Sequence, residues 1–232
     1  MHRFPLIVAA VLSILAQLMT TELLGRQPGR ADPQLRYGTV ICSSGSWATV
    51  PLDVGYTSMV VIASARYPAG SDPAVVRVRS ASGSSFQVRV QVPCSSQVLT
   101  NVAVDYVVVE EGVYTEAIDG VNAEAYIVSS SVTDHAGSWV GTAAGYVNSY
   151  SDPVVLGQVM TDDDTNWSQF WCYGPTLNDP PSATHLAIGK HVGEDPQTLR
   201  FDEDVGFLII ESGTGVFGGV EYLAGVSADT IV

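Results

Sequence analysis

Two carboxylate runs, Asp162-Asp163-Asp164 and Asp202-Glu203-Asp204, hold the densest clusters of ligating oxygen in the chain. Calcium takes six to eight oxygens, and acidic loops at the ends of β-structure supply them. Neither run has the Asp-x-Asp-x-Asp-Gly spacing of an EF-hand. They read either as solvated loops or as a calcium site with Asp162, Asp163, Asp164, Asp202 and Asp204 as ligands. A second candidate is aromatic. Trp167, Trp171 and Tyr173 share one parity, so on a straight strand they face one way and Phe170 and Cys172 the other. Facing outward, the trio is a platform for stacking on sugar rings or on a neighbouring module; facing inward, it is core.

Three cysteines are present. Cys42 ends the first predicted strand and Cys94 follows the fifth, which makes a Cys42–Cys94 bridge across a loop of roughly 50 residues the expected pairing. Such a bridge contributes on the order of 4 kcal/mol in the chain-entropy estimate. Cys172 is left over as a buried thiol or an intermolecular partner. No C-x-x-C occurs, so structural zinc has no support. His135, His185 and His191 lie outside the N-terminal apolar segment, but no Gly-x-Ser-x-Gly marks a nucleophile for them to serve. The reading is therefore of a non-enzyme, with a hydrolase of unrecognised site as the third choice.

These residues sit in a chain of 232 residues with 46% hydrophobic and 15% charged side chains and a formal charge of −14. Residues 131–232 hold fourteen carboxylates against Lys190 and Arg200. A surface this acidic repels phosphate backbones and excludes nucleic acid as a partner; it suits cations or saline surroundings. Residues 1–20 open with His2 and Arg3 and continue as an apolar run, the pattern of a secretory signal peptide, with an uncleaved anchor as the alternative. The remainder is then secreted or displayed at the cell surface, where disulfides persist. Residues 21–35, with Gly25, Pro28, Gly29 and Pro33, read as a linker.

Strands must position the candidates. Val104–Gly112, a β-branched run closed by Glu-Glu-Gly, returns at Val205–Gly213 closed by Glu-Ser-Gly. Gly45-Ser46-Trp47 returns at Gly137-Ser138-Trp139, and Gly120-Val121 at Gly219-Val220. The offsets of 92, 101 and 99 residues describe a duplicated unit the size of one small domain. Short strands separated by turn chemistry fill each copy, which gives an all-β reading: two tandem antiparallel β-sandwich modules at 36–133 and 134–232. Arg77, Arg79 and Arg89 alternate with apolar residues and share the outer face of their strands, as a solvated surface or a site for an anionic group. After Gly219 the chain repeats the segment that first led into a new copy, so it reads as a piece of a longer array or a precursor truncated there.

Trp47-Ala48-Thr49-Val50-Pro51-Leu52, then Tyr56, then Val60-Val61-Ile62 resembles the opening of the H-type lectin domain. The second unit is similar at Tyr146, Asp152-Pro153-Val154-Val155 and Trp167–Trp171. The resemblance implies compact Ig-like sandwiches, often self-associating, that bind carbohydrate without doing chemistry. The reading is thus a carbohydrate-binding or adhesion protein, with Trp167, Trp171 and Tyr173 as ligand contacts, possible calcium, and glycans or neighbouring copies of the module as partners. The alternative is a structural extracellular repeat protein forming a stalk or filament.

Overall fold

Runs of Val, Ile, Tyr and Thr bounded by Gly, Pro, Ser and Asp form strands almost throughout, and the chain is all-β. A computed structural model describes residues 34–66, 70, 72–93, 97–138, 140–176 and 178–226. The expected signal peptide, all but the end of the linker, Cys94 and Trp139 lie outside the described residues. Among the described residues no helix is long and apolar enough to cross a membrane.

The first half contains β1 (Leu35–Cys42), β2 (Ala48–Tyr56), β3 (Met59–Arg66), β4 (Val75–Gln91) and β5 (Val102–Glu110). β4 doubles back on itself. Arg77 Nη1 donates to Gln91 Oε1 at 3.1 Å, although residues fourteen apart on a straight strand stand about 45 Å from one another. A connection of β6 (Gly112–Tyr114) and the single-turn α1 (Glu116–Asp119) follows, closed by Gly120 in the left-handed region at φ 68°. The second half contains β7 (Ala123–Ser130), β8 (Thr133–Asp134), β9 (Thr142–Ala144), β10 (Pro153–Val159), β11 (Gln169–Tyr173), β12 (Leu186–His191) and β13 (Glu203–Glu211). The hairpin β14 (Gly213–Phe217) and β15 (Val220–Ala224) completes the described chain.

The duplication seen in the sequence is carried by one repeated arrangement. β5 lies between β1 and β3 in one antiparallel sheet, and β13 lies between β7 and β10 in another. The closing carboxylates play the same part in both. Glu110 accepts hydrogen bonds from the N–H groups of Thr57 (2.9 Å) and Ser58 (2.6 Å), just before β3. Glu211 accepts from Ser151 (2.9 Å) and Asp152 (2.8 Å), just before β10. Each carboxylate thus satisfies two strand-entry donors that otherwise lack partners. The following residue repeats too: Glu111 N donates to Ser58 O, and Ser212 N to Asp152 O.

β7, expected to close the first module, is bonded to β13 along its whole length. By register it is the counterpart of β1, so the repeated unit begins there. In the same way β15 pairs with β14 (Gly213↔Ala224) as β7 pairs with β6 (Gly112↔Ala125).

Alternation along the strands sends side chains into three apolar layers. Val50, Phe86 and Val88 meet Met59, Val61, Val104 and Val108 in the first. The opposite faces of the same central strands, with Val60 and Val109, meet Val154, Leu208 and Ile210 in the second. Phe207 and Ile209 then face Leu186, Ile188, Phe170 and Cys172 in the third. The sheets are therefore stacked as β2–β4, β1-β5-β3, β10-β13-β7-β6 and β11-β12-β8, with β9 beside β12. This explains the two unbroken hydrophobic runs: β5 and β13 are central strands covered on both faces, and such strands lose the polar alternation of a surface sheet. Fully burying each Val, Leu or Ile there contributes about 1.5–3 kcal/mol. Gly157 on β10 has no side chain because the Phe170 ring lies where its Cβ would be, 2.5 Å away.

Candidate functional site

The first acidic run lies on the β10–β11 connection, and the structure explains its conformation from the inside. Glu203, at the start of β13 and almost fully buried, accepts hydrogen bonds from Thr161 Oγ1, Asp163 N (3.2 Å) and Asp164 N (3.1 Å). The loop wraps around this carboxylate and turns its carbonyls toward the first half. There Arg77, with no exposed surface, donates to Asp164 O and Asn166 O, both at 2.8 Å. Its guanidinium also lies 2.9 Å from Asp162 Oδ1 and 3.5 Å from Glu203 Oε1. Arg79 and Arg89 approach the same Asp162 carboxylate at 3.7 and 3.6 Å. Both guanidinium groups lie over the Trp47 ring, 4.2 and 4.6 Å from its centroid, a cation–π arrangement that holds them toward Asp162.

Burial pushes Arg77 below the usual arginine value, opposed by Asp162 and Glu203. Burial alone would raise Asp164; the N–H groups of Asn166 and Phe201 and the charge of Arg200 overcome it and hold the carboxyl below the usual range. Lys190, fully buried on β12, donates to Ser130 O (2.7 Å) and Phe201 O (2.5 Å) and is lowered by desolvation against Glu203, Asp202 and Asp164.

Of the five expected calcium ligands, Asp162 and Asp164 thus face the protein's own cations and N–H donors. Asp163 and Asp202 are exposed and Asp204 is half-buried. Among the described residues no three His, Cys, Asp or Glu side chains converge on one point as a metal requires. The anionic group that fits the Arg77, Arg79 and Arg89 face is Asp162, 73 to 85 residues further along the chain. The three arginines, read from alternation as a solvated face or anion site, are in contact with the acidic loop; only the excess of unlike charge in the two segments hinted at it.

The aromatic trio divides. Trp167 precedes β11 and is buried with Val75 and Val192, while its carbonyl accepts Arg200 Nε at 2.9 Å. Trp171 and Tyr173 lie on the strand itself, half-buried, on the face opposite Phe170 and Cys172. Their rings stack at 4.6 Å and 22°. Gly141 makes room for Tyr173, whose ring lies 2.8 Å from where a Cβ would stand. The edge of His191 completes this strip, 5.7 Å from Trp171. Searches against known protein families, curated proteins and solved structures found no match to this chain.

His191 also sits beside the fully buried Asp134, with Nε2 3.4 Å from Asp134 Oδ2. Its Nδ1 accepts the N–H of Gly193 at 2.7 Å, which assigns the ring proton to Nε2, facing Asp134. The Nδ1 lone pair is taken by the Gly193 N–H and Nε2 carries the proton, so the imidazole in this arrangement offers no lone pair to a hydroxyl nucleophile. Burial lowers His191 below the ordinary histidine value, with Asp134 opposing. Cys42 is a free thiol in the first layer, pushed up to about 11 by burial, with Sγ 3.9 Å from Val88 O. Its expected partner Cys94 lies outside the described residues. Cys172 is free and pushed up to about 12 by desolvation.

Proposed function

We propose that the chain is a structural repeat protein of an extracytoplasmic surface, made of two Ig-like antiparallel β-sandwiches stacked into one rigid body, as a stalk or filament requires. The observation that carries this reading is the middle apolar layer, where Val60 and Val109 of one half pack on Leu208 and Ile210 of the other. The buried Arg77–Asp162–Glu203 cluster supports it. Glu111 adds a further tie, accepting from Ser58 Oγ of the first half (2.7 Å) and Ile127 N of the second (3.1 Å). β15 stands to β14 as β7 stands to β6, so the hairpin has the form that hands the chain from one unit to the next. Its Val216 and Leu223 are exposed.

Hydrogen exchange of the whole chain tests the reading. The slowest amides of β5 and β13 are expected to share one opening free energy, because a rigid stack opens as a unit. Exchange of one central strand at a free energy well below the other would mean two independent modules on a string and would overturn it.

A second reading, carbohydrate binding on an H-type lectin-like sandwich, is favoured by the stacked Trp171–Tyr173 pair, since flat aromatic faces take the apolar faces of sugar rings. A glycan array with and without calcium separates the two. Binding lost in Trp171→Ala would establish the lectin reading; no binding under either condition leaves the strip as a packing surface between modules.

A further inference from the structure

The two inner sheets differ at one edge. Glu110 N donates to Gln34 O, so alternate residues of β1 bond to β5, and Leu35, Tyr37, Thr39 and Ile41 turn their N–H and C=O groups to the opposite side. Leu35 faces Val109 as Ala123 faces Ile210, so Ala123, Ala125 and Ile127 are the counterparts of Leu35, Tyr37 and Thr39. In the second half this edge is filled. β6 pairs with Ala123 and Ala125, and Glu111 Oε1 accepts the N–H of Ile127 at 3.1 Å. On β1, among the described residues, only Leu35 O has a partner, Arg36 Nη1 at 2.9 Å, and Tyr37, Thr39 and Ile41 are exposed. This eight-residue edge has no proline and no bulge, and its one charged residue, Arg36, is paired with Asp53. It lacks the devices that keep an edge strand from pairing.

We propose that the edge of β1 receives the β14–β15 hairpin of a second copy of this chain, through the free edge of β15. The inference rests on the structural-repeat reading and names how copies join. β6 follows the central strand β5, so the edge in the second half is filled by the unit before it; the piece in the same position of another copy is the hairpin that follows β13. The residues just before β1, with Gly25, Pro28, Gly29 and Pro33, have the composition of a linker and not of a strand. β15 is the counterpart of β7, whose far edge carries β13, whereas β14 is the counterpart of β6, whose far edge carries no strand. Gly218 and Gly219, both left-handed at φ 58° and 81°, close a two-residue turn that preforms the hairpin. Phe217 fixes it to the body against Tyr114, with ring centroids 4.8 Å apart. Glu221 and Leu223 then turn their N–H and C=O groups away from β14, ready for strand addition. The middle apolar layer cannot serve for growth, because equivalent faces meet there: Val107 and Val109 on Leu208 and Ile210, 101 residues further on. Such a contact closes on itself, whereas β1 and β15 are different surfaces and join head to tail.

The test is sedimentation velocity of the whole chain at rising concentration in about 0.5 M salt, which screens the formal charge of −14 on each copy. Concentration-dependent association that continues beyond the dimer is expected. Ile41→Lys and Leu223→Lys, at positions 57% and 53% exposed, each spoil one end. Each is expected to weaken association at least about tenfold while keeping the parent's urea midpoint. Mixed, the two variants retain one intact end apiece, β15 on the first and β1 on the second, and are expected to form a dimer that grows no further. A parent that stays monomeric, a variant that associates as the parent does, or a mixture that forms no dimer overturns the pairing. If a variant does not fold, amide exchange of the parent decides. The amides of Tyr37, Thr39 and Ile41 are expected to slow as concentration rises, and rates independent of concentration overturn it. A monomeric parent whose β5 and β13 amides still open together loses this pairing alone, and the rigid stack stands.

Discussion

The two halves share their framework and differ in what hangs on it. Both have a central strand covered on both faces, and both end that strand in a glutamate that clamps two N–H groups of the neighbouring strand's entry. The connections diverge. The first half presents Arg77, Arg79 and Arg89 from a doubled-back strand, and the second presents Asp162 from a loop held by Glu203. A duplication can keep the clamp because the clamp is internal to each copy. It cannot keep the charges identical, because two identical faces of one sign repel, and the cluster depends on each copy carrying the opposite sign.

The sharpest way to break this complementarity is Arg77→Met. Removing one partner of a buried ion cluster leaves the carbonyls of Asp164 and Asn166 without the guanidinium donor and takes the nearest cation from Asp162 and Glu203, and a loss of about 3–5 kcal/mol is expected in urea unfolding. Arg79→Met, at a partly exposed position 3.7 Å from the same carboxylate, is expected to cost less than about 1 kcal/mol. Equal effects would mean that the three arginines act as one diffuse charge rather than through the geometry of Arg77.

The shared part of the comparison is sharpened by Glu110→Gln and Glu211→Gln. An amide retains one acceptor oxygen but presents an NH₂ group to the second N–H, so each substitution is expected to cost about 1–3 kcal/mol. Because the two clamps have the same partners in register, the two losses are expected to agree within about 0.5 kcal/mol, measured by the same melts. A large inequality would show that one carboxylate has a task beyond the clamp.

The all-β class and the repeat were legible in the sequence because they rest on local patterns: β-branched runs, turn residues and landmarks at constant offset. The inward faces of Val76, Val78, Phe86, Val88 and Val90 followed from alternation alone. Long-range partnership left no such pattern. The composition of β7 suits a strand of either half, and only its bonding to β13 places it in the second. Parity groups Trp167 with Trp171 and Tyr173, but β11 begins at Gln169, and the turn before it resets which way a side chain points. The acidic loop has the composition of a calcium loop; its partners, three arginines on another strand, are visible only in space.

The smallest expected effect belongs to His191, whose partner Asp134 lies on β8 and is a feature of the second half. Among the described residues the ring meets the Gly193 N–H at Nδ1, Asp134 at Nε2 and the Trp171 edge, and the charge of His135 disfavours protonation. Burial outweighs the pull of Asp134, so the folded state holds the imidazolium less readily than the unfolded chain does. As pH falls through the unfolded value of about 6.5, the unfolded state takes up the proton first. The stability that neutral His191 contributes is therefore complete above that pH and is lost as pH falls toward the lower folded value. Urea melts between pH 7.5 and 5.5 should show this loss, and His191→Gln, which cannot titrate, should flatten the part of the slope that belongs to it. A slope unchanged in His191→Gln would transfer the pH dependence to other groups, and the Asp134–His191 contact would then be a packing feature that burial leaves without a proton-linked role.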